Sequence, residues 1–178
     1  MRRSAHAWSG SSRARSRSPD PGPKIGYRAP MTAEDRLAIL DQIGRYSYAV
    51  DAFDDAEFAA RFTDDGVFER RAIGSDGPYE VIEGHAALRS WILEILETLP
   101  EGVITRHHQR ATVFDELSGE AARTRTMLLL TSIGPGDRHP RTVGSGVYRD
   151  EWRRTDEGWR IVRRVADMDR PAPDAARG

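Results

Sequence analysis

Apolar residues recur every three or four positions in the first half of this chain and at every second position in the last third. Ile39, Ile43, Tyr46, Val50 and Phe53 form an apolar stripe at helical spacing and predict one long helix. Thr32, followed three residues later by Asp35, reads as a capping box at its start. Asp54 with Glu57 repeats the N-cap signature, and Phe58 and Phe62 mark a short second helix that Asp64-Asp65-Gly66 is expected to close. A strand over 67–72 then leads into a Gly/Ser/Pro loop. Gly84 precedes a third helix carrying Leu88, Ile92, Ile95, Leu96 and Leu99 on one side, and Pro100-Glu101-Gly102 ends it.

The remainder reads as antiparallel sheet. Residues 103–117 alternate, Ser118-Gly119 turns, and 121–133 alternate again. A Gly/Pro loop over 134–140 separates these from 142–154, and Asp156-Glu157-Gly158 makes a tight turn before 159–167. Helices followed by a long meander predict an α+β fold: a strongly bent, mostly antiparallel sheet with about three helices packed on it.

Composition adds boundaries. Residues 1–30 carry seven basic side chains against Asp20 alone, a net +6, so the rest holds −7 of the overall −1. That Ser/Arg/Pro/Gly-rich tail cannot bury enough apolar area to offset its ordering entropy and is expected to be disordered. The division is a basic tail over 1–30, one domain over 31–170 and a second disordered tail over 171–178. The basic tail reads either as a non-functional extension ahead of Met31 or as a phosphate-binding arm. An acidic domain behind it is a poor nucleic-acid platform. The chain has no cysteine, which excludes disulfides, thiolate zinc sites and cysteine nucleophiles and fits a cytoplasmic protein. No apolar run approaches the ~18 residues that span a bilayer, so no membrane partner is expected.

His107 and His108 are neighbours on a strand and must point to opposite faces. His107 shares its parity with Val103, Ala111 and Val113, whereas His108 shares its own with Ile104, Arg106, Arg110 and Phe114. The less charged face is expected to be the inner one, which places His107 inside unless a β-bulge intervenes. Asp51 lies at the edge of the first helix's stripe, with Ser47 one turn earlier and able to hydrogen-bond its carboxylate. It sits at the helix end where the dipole disfavours an anion, so helix stability does not account for it. Tyr46 falls in the middle of the stripe, and Tyr148 shares a strand face with Trp152. A packing role fits each of these residues as well as a chemical one. No metal site is expected, since the two adjacent histidines cannot chelate one ion from opposite faces. A Gly-rich phosphate loop and a G-x-S-x-G elbow are both missing.

The segments RYSYAVDAFDDAEFAARFTDDGVFE, GHAALRSWI, TRHHQRATVF and GVYRDEWRRTDEGWRIVRR resemble the SnoaL-like group of the nuclear-transport-factor-2-like superfamily, from Ala33 to about Asp169. The resemblance implies a cone of helices and bent sheet around a pocket. Its site pattern is similar to those of scytalone dehydratases and bile-acid dehydratases, which place a helix aspartate and a strand histidine together with tyrosines nearby. Tyr46 and Asp51 fit the Tyr-x4-Asp pattern. His107, with Phe114 seven residues on, fits the strand histidine, and Tyr148 falls where the scytalone enzymes carry a pocket amide. Their second histidine has no counterpart, and Thr131 or Ser132 stands near its place. The resemblance therefore implies Asp51, His107 and Tyr46 as catalytic residues. Tyr148, Trp152, Phe68, Met127 and Leu129 are expected to bind the substrate.

The expected activity is that of a lyase or isomerase acting without a cofactor on a hydrophobic, oxygenated polyketide- or steroid-like molecule. The alternatives are a polyketide cyclase, an epoxide hydrolase, or a non-catalytic subunit such as the small subunit of a ring-hydroxylating dioxygenase. An enzyme should bring Asp51 and His107 together at an apolar cavity, whereas a structural subunit should have a filled cone. A homodimer built on the outer sheet face is also expected, because Ile104 and Phe114 share the parity of His108 there. The tail analysis makes one prediction. A chain starting at Met31 should melt within about 3 °C of the full one, since 1 kcal/mol moves a domain of this size by roughly that much. A larger drop by differential scanning fluorimetry would mean that the tail packs on the domain.

Overall fold

A computed structural model describes residues 32–170, so the expectations about the two tails lie outside the described residues. Helix α1 (Ala33–Ala52) starts at a complete capping box between Thr32 and Asp35, and Ile39, Ile43, Tyr46, Ala49 and Val50 are buried along it. Phe53 ends it in the left-handed conformation at φ 52°, with its N–H turned back onto the last carbonyls. Helix α2 (Asp55–Ala59) is a single turn capped by Asp54, whose Oδ1 accepts from the Glu57 N–H at 2.9 Å. Helix α3 (Gly84–Thr98) buries Leu88 and Ile92, while Leu96, expected on the same side, is exposed. No helix among the described residues is long and apolar enough to cross a membrane.

The strands are β1 (Phe62–Ala72), β2 (Glu80–Glu83), β3 (Ile104–Leu117), β4 (Ala121–Ile133), β5 (Arg141–Thr155) and β6 (Gly158–Met168). They form one curled sheet in the order β2-β1-β6-β5-β4-β3, which stays open with β2 and β3 as its edges. From β3 to β6 it is the expected antiparallel meander. Four features depart from the sequence reading. The short β2 was not expected, and β1 runs parallel to β6 although much of the chain separates them. Phe62 belongs to β1 rather than to α2, and Asp64-Asp65-Gly66 is an irregularity within that strand, not a turn closing a helix. Gly66 is required there, because a Cβ would lie 2.7 Å from the Phe62 Cβ.

The helices cover one face of the sheet. Helix α1 lies across β3 and β6, α3 lies across β1 and β2, and α2 touches both of these helices. The core between these layers contains Ile39, Phe58, Phe62, Leu88, Ile92 and Ile161, each under 2 % exposed. The start of α1 is tied to the β5–β6 hairpin by Asp35, which accepts from Arg154 and from Trp159 Nε1. The Thr32 N–H, with Arg154 and Trp159, holds the Asp35 carboxyl down at about 2.

The centre of the sheet buries a charge. Arg164 and Asp150 are fully shielded and form a two-pronged ion pair at 2.7 and 2.8 Å across β5 and β6. The guanidinium is flanked by the rings of Tyr46 at 3.9 Å and Tyr148 at 4.2 Å. Burial alone would favour losing the proton from Arg164, but Asp150 more than compensates and keeps it charged. Removing one partner of such a pair leaves an uncompensated charge and costs roughly 3–5 kcal/mol. Asp150→Asn and Arg164→Met are each expected to destabilise by about that much in urea melts. The double change should cost less than the sum, and additive losses would show that the two side chains do not act as a unit.

Candidate functional site

The final turns of α1 and the edge strand β3 meet at the dyad of Asp51 and His107. Tyr46 and Asp51 are five residues apart, so they leave the helix about 140° from each other. Tyr46 consequently points into the core, 1 % exposed, while Asp51 points sideways toward β3. An edge strand presents alternate N–H groups that no neighbouring strand can accept. Asp51 takes one of them: its Oδ2 accepts the backbone N–H of His107 at 3.0 Å. Its Oδ1 accepts from His107 Nδ1 at 2.7 Å and from the Thr105 hydroxyl at 3.4 Å. Both side chains are mostly buried, at 15 % exposed for His107 and 10 % for Asp51. With Asp51 ionised, the neutral imidazole carries its proton on Nδ1, which leaves Nε2 as the basic nitrogen.

A second contact fixes the same edge. Gln109 Nε2 donates to Ser47 Oγ at 2.7 Å and to the Ile43 carbonyl at 3.2 Å. Ser47 is therefore occupied by Gln109 and not by Asp51, contrary to the sequence expectation. His108 lies on the outer face, where its Nε2 is 3.0 Å from the Thr131 hydroxyl.

A β-bulge does interrupt this strand, but it comes after the histidines. Ala111 adopts φ 52°, and the β3–β4 register slips between Arg110 and Val113. His107 thus keeps its inward parity, whereas Val113 turns out to be 48 % exposed and Phe114 packs against the core. Both residues sit on faces opposite to those the plain alternation assigned. The seven-residue spacing from His107 to Phe114 puts both inside only because one extra residue is inserted between them.

His107 lines a cavity of about 170 Å³ between the helices and the sheet. Its wall is largely aromatic and aliphatic, with Tyr46, Phe68, Trp91, Leu128, Leu130 and Tyr148 among the contributors. Trp91 stacks on Phe58 with ring centroids 5.8 Å apart and meets Phe68 edge-on at 5.1 Å. Burial pushes the phenols of Tyr46 and Tyr148 up despite the nearby Arg164, so both remain protonated donors. On the other side of the dyad, an open groove of about 400 Å³ lined by Ser47, Tyr48, Asp51, Arg106 and His108 reaches His107 from outside. His107 thus stands between a largely apolar chamber and a solvent-facing groove that carries Ser47, Arg106 and His108.

Of the residues expected to bind substrate, Tyr148 and Phe68 line the chamber with Tyr46. Trp152 does not: it is buried in the core with Nε1 donating to Thr124 Oγ1 at 2.9 Å. Met127 and Leu129 face outward, 63 % and 41 % exposed, because β4 presents its even-numbered residues to the interior. Leu128 and Leu130 take their place in the wall. The sequence reading missed Gln109, Thr105, Trp91, Arg70 and the Asp150–Arg164 pair. For Leu128 and Leu130 a signal existed: parity counted from buried Ala122, Thr124 and Thr126 runs unbroken to them.

Residues 31–165 match the SnoaL-like domain family. The uncharacterized protein Rv2910c of Mycobacterium tuberculosis is 31 % identical over 134 residues, covering 74 % of this chain and 83 % of that protein. A Novosphingobium aromaticivorans protein provisionally described as an aromatic ring hydroxylase superposes with a TM-score of 0.66 at 30 % identity. That alignment covers 79 % of this chain and 93 % of its counterpart. A variant form of Rv3472 of Mycobacterium tuberculosis, a protein of unknown function, gives 0.65 at 28 % identity, covering 82 % and 78 %.

Proposed function

We propose that this chain, which belongs to the SnoaL-like domain family, is a cofactor-independent acid–base enzyme of the lyase or isomerase type. The observation that carries this reading is the 2.7 Å contact between Asp51 and His107 Nδ1 at the wall of a largely apolar cavity. A structural subunit has no need of an empty chamber beside a histidine–carboxylate pair.

In this scheme His107 Nε2 removes a proton from the carbon next to a substrate carbonyl, and the electron pair moves onto the carbonyl oxygen as an enolate. Asp51 orients the ring and stabilises the imidazolium that forms. Tyr46 and Tyr148, kept protonated by burial, donate to the developing oxyanion. The enolate then expels a β-hydroxyl, which takes the proton from His107 Nε2 and leaves as water. Returning that proton to a different carbon gives isomerisation instead. The site and substrate supply every proton and electron pair in this scheme.

The chamber also limits the substrate. Its 170 Å³ falls below the ~300–1,000 Å³ usual for ligand pockets. An oxygenated molecule of one or two rings fits this volume better than the polyketide- or steroid-sized body expected from the resemblance.

α-Proton exchange of 2-tetralone in D₂O, followed by NMR, needs only the proposed base and oxyanion donors. Wild-type protein should catalyse the exchange. His107→Ala and Asp51→Asn should each lower it, the first by about 10²–10⁴-fold, the usual contribution of a general base. The double variant should be little worse than the worse single one. His108→Ala, on the outer face, should leave exchange nearly intact. No exchange by wild type, or equal rates in His107→Ala and wild type, would sink the mechanism.

The reading extends to a homodimer through the outer sheet face, where Met127, Leu129 and Ile104 lie exposed. Met127 is the cross-strand neighbour of Arg110 and Val147, so the apolar strip is bordered by a charge. Light scattering at tens of micromolar should give twice the chain mass, and Met127→Glu should shift it to the monomer. A monomeric wild type would end that part of the proposal.

A further inference from the structure

The chamber holds one permanent charge that the acid–base scheme does not use. Arg70 on β1 is part of its wall, and the other described lining residues are apolar, aromatic, Thr105 or His107. Its Nη1 donates to Glu80 Oε2 at 2.8 Å, across the β1–β2 pair. Glu80 is then fully engaged, because its Oε1 accepts from Trp91 Nε1 at 3.1 Å. The guanidinium stands over the Tyr79 ring at 5.3 Å and the Trp91 ring at 6.0 Å. Two aromatic faces and one carboxylate oxygen thus hold the fork in place, while Nε and Nη2 have no hydrogen-bond acceptor among the described residues. The Tyr79 hydroxyl at the same corner is buried without a partner. Buried polar groups normally find one, in protein, water or ligand.

We infer that Arg70 is the seat for a carboxylate on the substrate, which would make the natural substrate a small cyclic oxo acid. The inference rests on the chamber being the substrate site. An arginine fork offers two parallel N–H groups at the spacing of a carboxylate's oxygens, and the contact is strong where water is largely excluded. Arg70 is 22 % exposed, so it lies at the rim of the chamber rather than its floor. It also lies on the far side from the dyad: β1 and β3 are separated by β6, β5 and β4. A molecule held by its carboxylate at Arg70 would extend its ring across the apolar wall and present its carbonyl end toward His107 and the two tyrosines. Arg70 would thereby fix which C–H the base meets, as a specificity-determining residue and not a catalytic one.

Isothermal titration with 2-naphthoate and its neutral isostere 2-naphthamide separates this inference from the reading beneath it. Wild type should bind naphthoate about ten- to a hundredfold more tightly, the range for a charge-assisted contact. Arg70→Met should abolish that preference, and His107→Ala should retain it. If Arg70→Met fails to fold, Arg70→Lys takes its place; it keeps the charge but lacks the fork, and it should weaken naphthoate alone. Equal binding of the two probes by wild type would overturn the carboxylate seat and leave the chamber as a ligand site. Binding of neither probe would overturn both. A preference that survives Arg70→Met, or one that Arg70→Lys leaves at its full wild-type size, would locate the anion elsewhere.

Discussion

The ion pair between Asp150 and Arg164 is the constraint on which the interior of this domain depends. A fully buried guanidinium is tolerated only where its charge and its N–H groups are answered. Asp150 answers two of those groups, and the faces of Tyr46 and Tyr148 shield what remains of the cation. Arg164 Nη1 keeps no partner among the described residues. The pair therefore fixes β5 against β6 and positions two phenols from different elements. Because those phenols line the chamber, the same contact that organises the core also shapes the proposed oxyanion site.

The dyad is built on a different physical need, the unsatisfied edge of a sheet. The N–H of His107 faces away from β4, and a carboxylate from the last turns of α1 supplies the acceptor. Once Asp51 is held by that backbone contact, its second oxygen stands at the right place to fix the imidazole. One anion thus ties helix to strand and selects the histidine tautomer. The unfavourable position of Asp51 at a helix C-terminus follows from this service, since its partners lie on β3. Gln109 repeats the arrangement two residues further along with Ser47 and the Ile43 carbonyl.

Chamber and dyad together form one pocket of modest size, with the histidine–carboxylate pair at one side and Arg70 at the other. The rings of Phe68 and Trp91 line its middle, and a hydrogen bond formed beside such apolar surface is stronger than one in water. The outer groove reaches the same Asp51–His107 pair from the solvent side. Glu80 holds Arg70 at the rim through Nη1 alone, which leaves the Nε and Nη2 side of the fork without an acceptor among the described residues.

Local pattern marked all three helices and every strand except β2, though not where β1 begins. Helical spacing in α1, the caps at Thr32 and Asp54, and alternation through β4 and β6 are local patterns, and each reports which face of its own element is apolar. The resemblance then singled out Asp51, His107 and Tyr46; Asp51 contacts His107, and His107 and Tyr46 line the same chamber. Tertiary structure decided everything that depends on residues far apart in the chain. Arg164 sits in the run IVRRV beside Arg163, and no pattern distinguishes the buried arginine from its more exposed neighbour until β5 supplies Asp150. The parallel pairing of β1 with β6, the extra residue at Ala111 that reverses Val113 and Phe114, and the outward turn of Met127 and Leu129 belong to the same class. Alternation records only that two faces differ. Which one meets the helices is settled by strand register and by where a bulge falls, and both are fixed by hydrogen bonds to partners that the local sequence does not contain.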